Sequence, residues 1–286
     1  MSNTRKLITT TLLVLFILCG MVSITVSIAA TEAPQIVGEY GVAIDAVTGE
    51  VLYNKNANSK AYPASMTKVL TATILDEQMK DGELLTVSTN AANQECICLG
   101  LTAGELISKQ DAMKALLMLS ANDVAVTIAE NVAGSEGEFA KLMNQKVRKW
   151  GLKNSHFVTA NGLHDPNHYT TPYDMAVITK EAIKHSNVLE AMSTQTTKIK
   201  TSKKEKTINN LFKFQCVPNS IAGKPGFTNA AHHTLVEYIK QGNKEVISVV
   251  MKTDKKSKYS DIQTMANYSF DHINTSKSVS EVKIVE

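Results

Sequence analysis

The sequence shows no strong excess of either charge: 30 Lys and Arg stand against 27 Asp and Glu, a formal net charge of +3. Before residue 31 the only charged side chains are Arg5 and Lys6, so a chain beginning after residue 30 would carry a formal +1. Such a balance offers no electrostatic footprint for nucleic acid. Internal repeats, long low-complexity stretches and a glycine-rich phosphate loop are all missing, which argues against repeat arrays and nucleotide-binding folds. Cysteine is scarce, with four in the whole chain. Cys96-Ile97-Cys98 has no nearby His or Cys pair to complete a metal site. Cys96, Cys98 and Cys216 are the three beyond residue 30, and an odd number leaves at least one thiol unpaired. Packing as small side chains is the role expected of them.

The N-terminus places Arg5 and Lys6 before an uncharged apolar stretch from Leu7 to Ala30. Small residues at Ser27, Ala29 and Ala30 fit a signal peptide over residues 1–30, cut after Ala29 or Ala30. The stretch also approaches the ~20 residues that span a bilayer, so an uncleaved anchor is the rival reading. Either way the remainder is expected outside the membrane, as an exported or cell-wall protein. Cys19 follows Leu18, not a small residue, which argues against a lipoprotein signal. The roughly 250 residues that remain are enough for a sizeable core.

Ser65-Met66-Thr67-Lys68 carries the most chemistry. It follows Pro63 and opens an apolar helical pattern from about Ala64 to Gln78. Positions i and i+3 share a helix face, so the Ser65 hydroxyl and the Lys68 amine are expected within reach of each other. A serine hydroxyl becomes a nucleophile only beside a base. Lys68 is a base only when neutral, and neutralising a free lysine at pH 7 costs roughly 4–5 kcal/mol. Burial or a second cation lowers that cost, so the motif predicts another lysine in the same site. Alone, S-x-x-K is weak, because it recurs by chance on exposed helices. Ser120-Ala121-Asn122 and Gly223-Lys224-Pro225-Gly226 add a hydroxyl, an amide and a second lysine, the three motifs being about 50 and then about 100 residues apart. Alone, Ser120-Ala121-Asn122 is a helix cap and Lys224 a surface lysine. The order S-x-x-K, S-x-N, K-x-G is that of the serine acyl-transferases that include penicillin-binding proteins and serine β-lactamases.

With these motifs the chain resembles the D-alanyl-D-alanine carboxypeptidases, the low-molecular-mass penicillin-binding proteins of serine peptidase family S11. Val42–Tyr53 is similar to that family's opening hairpin, and Asn161-Gly162-Leu163-His164-Asp165 through Thr171 to its middle segment. The similarity spans about residues 36–272. It implies an α/β fold of the β-lactamase/transpeptidase type, an antiparallel sheet flanked by helices with a helical subdomain inserted at about 81–186. A short tail, 273–286, would follow, without the β-rich domain and amphipathic tail of many relatives. The resemblance implies a nucleophile, Ser65, a base, Lys68, and a proton relay, Ser120. Asn122, Lys224, Phe227 and Thr228 are the implied substrate-binding residues, with Ser65 and Phe227 amides forming an oxyanion hole. It implies no cofactor or metal. The implied partners are peptidoglycan stems ending in D-Ala-D-Ala and β-lactams as covalent inhibitors, with membrane contact only through an uncleaved anchor.

Local patterns agree with this outline. Glu39–Tyr53 reads as two strands joined at Thr48-Gly49, and Gln110–Met118, Val124–Val132 and Phe139–Trp150 as helices, the last ended by Gly151. Thr171-Pro172-Tyr173-Asp174 opens a helix to about His185. Thr196–Thr207 reads as an exposed hairpin. Gly223–Thr228, His233–Lys240 and Glu245–Lys252 read as strands, with a turn at Gln241-Gly242-Asn243 and a final helix over Ser260–Ile273. Lysine-rich Lys198–Lys206 and Lys252–Lys258 read as solvated loops.

Pro225 departs from the family's usual threonine. A strand proline is tolerated at a sheet edge with its nitrogen facing outward, so the fold is expected to survive and a carboxylate-binding hydroxyl to be lost. Thr228 and Lys258 are the candidate replacements. Two rival functions remain. A β-lactamase needs a deacylating glutamate on a loop, whereas Glu130, Glu136 and Glu138 fall in or beside helices. A catalytically weak wall-binding or β-lactam-sensing protein is favoured only by Pro225.

Overall fold

A computed structural model describes residues 32–95 and 97–273. The leader or anchor expected over 1–30, and all but the first residue of the 273–286 tail, lie outside the described residues. Among the described residues no helix is long and apolar enough to cross a membrane.

The chain begins its sheet with β1 (Tyr40–Asp45) and β2 (Val51–Lys55), joined at Gly49 with φ +82°. Asp45 Oδ1 tightens that turn by accepting the Val47 and Thr48 amides. After α1 (Lys68–Gln78) come β3 (Leu84–Thr86), α2 (Thr89–Ala92), β4 (Leu106–Ser108) and α3 (Lys109–Met118). Then follow α4 (Asn122–Ala133), α5 (Glu136–Lys149), α6 (Pro172–Ala182) and α7 (Ser186–Ser193). A small hairpin, β5 (Thr196–Lys200) and β6 (Glu205–Asn209), leads back to the main sheet. β7 (Ser220–Thr228), β8 (His232–Gln241) and β9 (Lys244–Thr253) complete the sheet, and α8 (Lys258–His272) closes the fold.

The five-stranded sheet runs β2-β1-β9-β8-β7, with every neighbour antiparallel. This is the expected flanked antiparallel sheet. Strand alternation splits its side chains between two layers. Val236, Ile247, Val249 and Met251 join the core built by the helices between β2 and β5, among them Leu70, Leu116, Ile128 and Ile178. The opposite face meets α8, whose Ile262, Met265 and Phe270 are buried. Gly41 lets α8 come close, because a Cβ there would touch Met265 Sδ.

Local chemistry sets the helix starts. Ser88, Ser108, Ser135 and Thr171 each accept an amide from the first turn of α2, α3, α5 and α6. Pro172 is the first residue of α6, and Gly151 follows α5 at φ +78°. Outside the site the structure departs from the sequence reading at several points. The β3–β4 pair and α7 were not anticipated, because three-residue strands and an eight-residue helix carry too little periodicity. The hairpin expected at 196–207 runs from Thr196 to Asn209 and is half-covered, with Ile199 and Ile208 buried. Lys258 is not in a solvated loop but half-buried at the start of α8. Cys216 is free and exposed, but Cys98 is disulfide-bonded, not a small free thiol packed in place. It is half-buried, just before Leu99 and Leu101, which pack into the core.

Candidate active site

Ser65 lies not in an α-helix but in a one-turn 3₁₀ helix, Ala64–Thr67, and Lys68 is the first residue of α1. The tighter turn eclipses positions i and i+3. Lys68 Nζ is 2.9 Å from Ser65 Oγ. Three neighbours hold this turn. Thr234 of β8 donates its hydroxyl to the Pro63 carbonyl. Gly226 of β7 passes so close that a Cβ there would lie 2.9 Å from Ser65 N. Gly162, at φ +81°, abuts the Ala64 carbonyl, which leaves no room for a side chain. Glycine is required at both positions.

Lys68 is fully buried. Its Nζ contacts Ser65 Oγ, Asn122 Oδ1 at 2.9 Å and the Asn161 carbonyl at 2.5 Å. Burial first, and the charge of Lys224 second, hold its pKa well below the ordinary lysine value. A neutral amine has two N–H donors and one lone pair. The amide and the carbonyl oxygen can only accept, so the lone pair is left for the Ser65 hydroxyl. That is the geometry of a base.

Ser120 sits between α3 and α4 at φ +62°, a left-handed conformation that costs a non-glycine residue about 1–2 kcal/mol. Lys224 Nζ donates to Ser120 Oγ at 2.9 Å and to the Pro225 carbonyl at 3.0 Å. With its oxygen occupied by Lys224, the Ser120 proton is free to point elsewhere. Lys224 is also fully buried, and burial followed by the charge of Lys258 lowers its pKa to about 7. Asn122, at the start of α4, is anchored by donating its side-chain amide to the Glu95 carbonyl and its backbone amide to the Ile97 carbonyl.

β7 is the edge strand, and its register to β8 is unbroken from Ala222 to Thr228. A proline fits such a ladder only with its nitrogen on the open side, as expected for Pro225. The cleft beside Ser65, about 240 Å³, is lined by Ser120, Pro225, Phe227, His233 and Lys258 among others. Phe227 is exposed and lies 4.6 Å from the His233 ring. Ser65, Lys68, Ser120, Asn122, Lys224 and Phe227 are thus brought together. Thr228 is not. Its hydroxyl oxygen accepts the Ala231 amide in the β7–β8 turn, and it does not line the cleft.

Three supports carry no signal of their own in the sequence. The Asn161 carbonyl is backbone, invisible to a side-chain motif. Asp123 accepts the Leu99, Gly100 and Leu101 amides and so fixes the loop beside Asn122. Buried His168 accepts the Val158 and Thr159 amides at Nδ1, which leaves Nε2–H to donate to Thr67 Oγ1 at 2.8 Å. Burial lowers its pKa to about 4, so it stays neutral and structural.

Residues 27–255 match the family model for D-alanyl-D-alanine carboxypeptidase, peptidase S11. The chain belongs to this family. The D-alanyl-D-alanine carboxypeptidase DacF of Bacillus subtilis (strain 168) is 32% identical over 259 residues, covering 85% of this chain and 66% of the relative. DacC of Escherichia coli (strain K12), also named a D-alanyl-D-alanine carboxypeptidase, is 32% identical over 78% of this chain and 59% of its own length. The chain therefore spans about six-tenths of the length of these relatives. The solved D-alanyl-D-alanine carboxypeptidase of Mycobacterium tuberculosis H37Rv superposes with a TM-score of 0.81 at 24% identity, over 87% of this chain and 96% of that one. The Streptomyces K15 DD-transpeptidase gives 0.79 at 24%, over 83% and 98%. At that identity both speak for the fold.

Proposed function

We propose that this chain is an exported serine-type carboxypeptidase that removes the terminal D-alanine from peptidoglycan stems ending in D-Ala-D-Ala. The observation that carries the reading is the buried Lys68, whose two acceptor partners leave its lone pair for Ser65. Ser65 gives its proton to Lys68 and attacks the carbonyl of the penultimate residue. The Ser65 and Phe227 amides take the developing oxyanion, typically a few kcal/mol per donor. Ser120 passes a proton to the leaving D-alanine amine, and the covalent acyl-Ser65 then yields to water. Asn122 orients Lys68 and the substrate amide. Lys224 binds substrate and helps keep Lys68 neutral. Lys258 lines the same cleft and is the candidate replacement for the carboxylate contact that Pro225 lacks. Because β-lactams mimic the dipeptide, they acylate Ser65 and leave slowly.

Pro225 favours a second reading, slow turnover with retained binding. One experiment separates them: the purified protein is incubated with a pentapeptide ending in D-Ala-D-Ala and free D-alanine is followed. Release that stops in a Ser65→Ala variant supports the carboxypeptidase. Penicillin or muropeptide binding without release supports the wall-binding reading, and rapid β-lactam hydrolysis a β-lactamase.

A further inference from the structure

Thr67, Lys68 and Thr71 share one side of the turn that runs into α1, because residues three and four apart on a helix are neighbours. That side meets residues 160–162 in reverse order. Thr71 Oγ1 donates to the Ala160 carbonyl at 2.7 Å, and Lys68 Nζ to the Asn161 carbonyl at 2.5 Å. A Cβ on Gly162 would come within 2.8 Å of Thr67 Oγ1. Thr71 is fully buried and does not line the cleft. Thr73, also fully buried, bonds back to the Val69 carbonyl of its own helix. Such back-bonding satisfies a threonine inside a helix without outside help. Thr71 instead uses its one hydroxyl proton on a different segment.

Residues 157–164 form neither helix nor strand, so no ladder fixes their carbonyls. Side chains fix them instead. Asn144 holds Phe157 by both its amide and its carbonyl, and His168 accepts the Val158 and Thr159 amides. Thr159 Oγ1 accepts the Gly162 amide at 3.1 Å. A peptide unit is planar, so its carbonyl is aimed by the rotations at its two ends. The unit that carries the Asn161 carbonyl ends at the Gly162 amide, which Thr159 pins. The unit before it carries the Ala160 carbonyl, which Thr71 pins. With both units held, the Asn161 carbonyl is aimed at Lys68.

We infer that Thr71 is a positioning residue for the acylation of Ser65. By holding the Ala160 carbonyl it aims the Asn161 carbonyl at Lys68, which fixes how the amine turns and so where its lone pair points. This rests on the reading of Lys68 as the base. A misplacement of about 1 Å at a reacting group costs on the order of 100-fold in rate. Thr71 stands one step back from the reacting groups, so loss of its hydroxyl is expected to slow acylation by about 10-fold.

The test follows acylation of Ser65 by labelled penicillin over a range of concentrations, which separates the rate constant at saturation from the half-saturating concentration. Thr71→Val keeps the shape and removes the donor. It should lower the saturating rate constant by about 10-fold and leave the half-saturating concentration unchanged. Thr71→Ser keeps the hydroxyl and should stay close to wild type. Thr73→Val removes an equally buried hydroxyl from the same helix, away from 160–162, and should acylate at the wild-type rate. A Thr71→Val variant as fast as wild type, or a Thr73→Val variant slowed as much, would overturn the assignment. If the valine variant does not fold, Thr71→Ala against Thr71→Ser makes the same comparison in a smaller volume. Equal rates for that pair would overturn the assignment, and a slower alanine variant would support it. Failure of a different kind, a wild type never acylated at Ser65 or a Lys68→Arg variant acylated normally, would count against the reading of Lys68 and Ser65 on which the proposal stands.

Discussion

Adjacent residues on β7 lead to two buried ionisable sites on opposite faces of the sheet. Lys224 points towards the helical layer, pairs across the strands with Val236, and reaches Ser120. Gly223 faces the α8 layer, where its cross-strand partner is Glu237, itself opposite Ser248 on β9. Both sites push their groups towards neutrality. Burial and a neighbouring cation lower Lys68 and Lys224, and burial raises Glu237 to about 8. Their surroundings differ. Every polar hydrogen-bonding contact of Lys68 is aimed at a reacting group or its support, and the site opens to a cleft. Among the described residues, both Glu237 oxygens and the Ser248 hydroxyl have no hydrogen-bond partner. The Ser220 hydroxyl lies near enough to offset part of the Glu237 shift but outside hydrogen-bond geometry. A perturbed ionisation is therefore not in itself a mark of catalysis. Partners and access decide.

The largest effect expected from breaking the contrast comes at Lys68. Arginine stays protonated and cannot act as a base, so Lys68→Arg should cut the rate of Ser65 acylation by labelled penicillin by at least about 10³-fold. An arginine variant that acylates near the wild-type rate would remove Lys68 from the mechanism.

A gain of activity is expected at Pro225. One hydrogen bond to a charged group contributes roughly 1.5–3 kcal/mol, so Pro225→Thr should speed acylation by D-Ala-D-Ala peptides about 10- to 150-fold with little change in Tm. Esters lacking the carboxylate should gain much less. If the threonine variant is no faster on the peptides, Lys258 already holds the carboxylate.

Stability against pH should separate the two buried sites by sign. Lys224 falls from 10.5 to about 7 on folding, so between those values the unfolded chain holds the extra proton. Wild-type stability should then rise with pH relative to Lys224→Met across that window, by up to ~1.4 kcal/mol per unit. Glu237 rises from 4.5 to about 8, so here the folded chain holds the proton and stability falls as pH climbs from 4.5 to 8. Glu237→Gln should remove that decline. Its Tm should match wild type near pH 4 and exceed it by a few degrees at pH 8, with D-alanine release little changed. Denaturant or thermal melts at several pH values read both slopes.

Much of the fold was legible because its signals are local and redundant. Thr171 and Pro172 start α6, Gly151 ends α5, and two largely apolar runs either side of the Gln241-Gly242-Asn243 turn mark β8 and β9. The reacting groups were legible for a different reason: three short motifs each require a particular side chain at a particular spacing. What escaped were contributions that no side-chain pattern encodes. The Asn161 carbonyl, the left-handed turn at Ser120 and the close passage of Gly226 over Ser65 exist only once β7 and the middle segment are docked. Thr228 illustrates the converse. Its hydroxyl is the replacement expected for the one lost at Pro225, but as the last residue of β7 it serves the turn instead.

The neutral Lys68 amine is most directly tested by NMR of protein labelled at lysine 13Cε, with the Lys68 resonance assigned through its disappearance in Lys68→Arg. The account predicts a resonance in the neutral-amine position at pH 7, protonating only as pH falls well below the range of the surface lysines. A Lys68 resonance that titrates with the surface lysines, near their ordinary value of about 10.4, would contradict it.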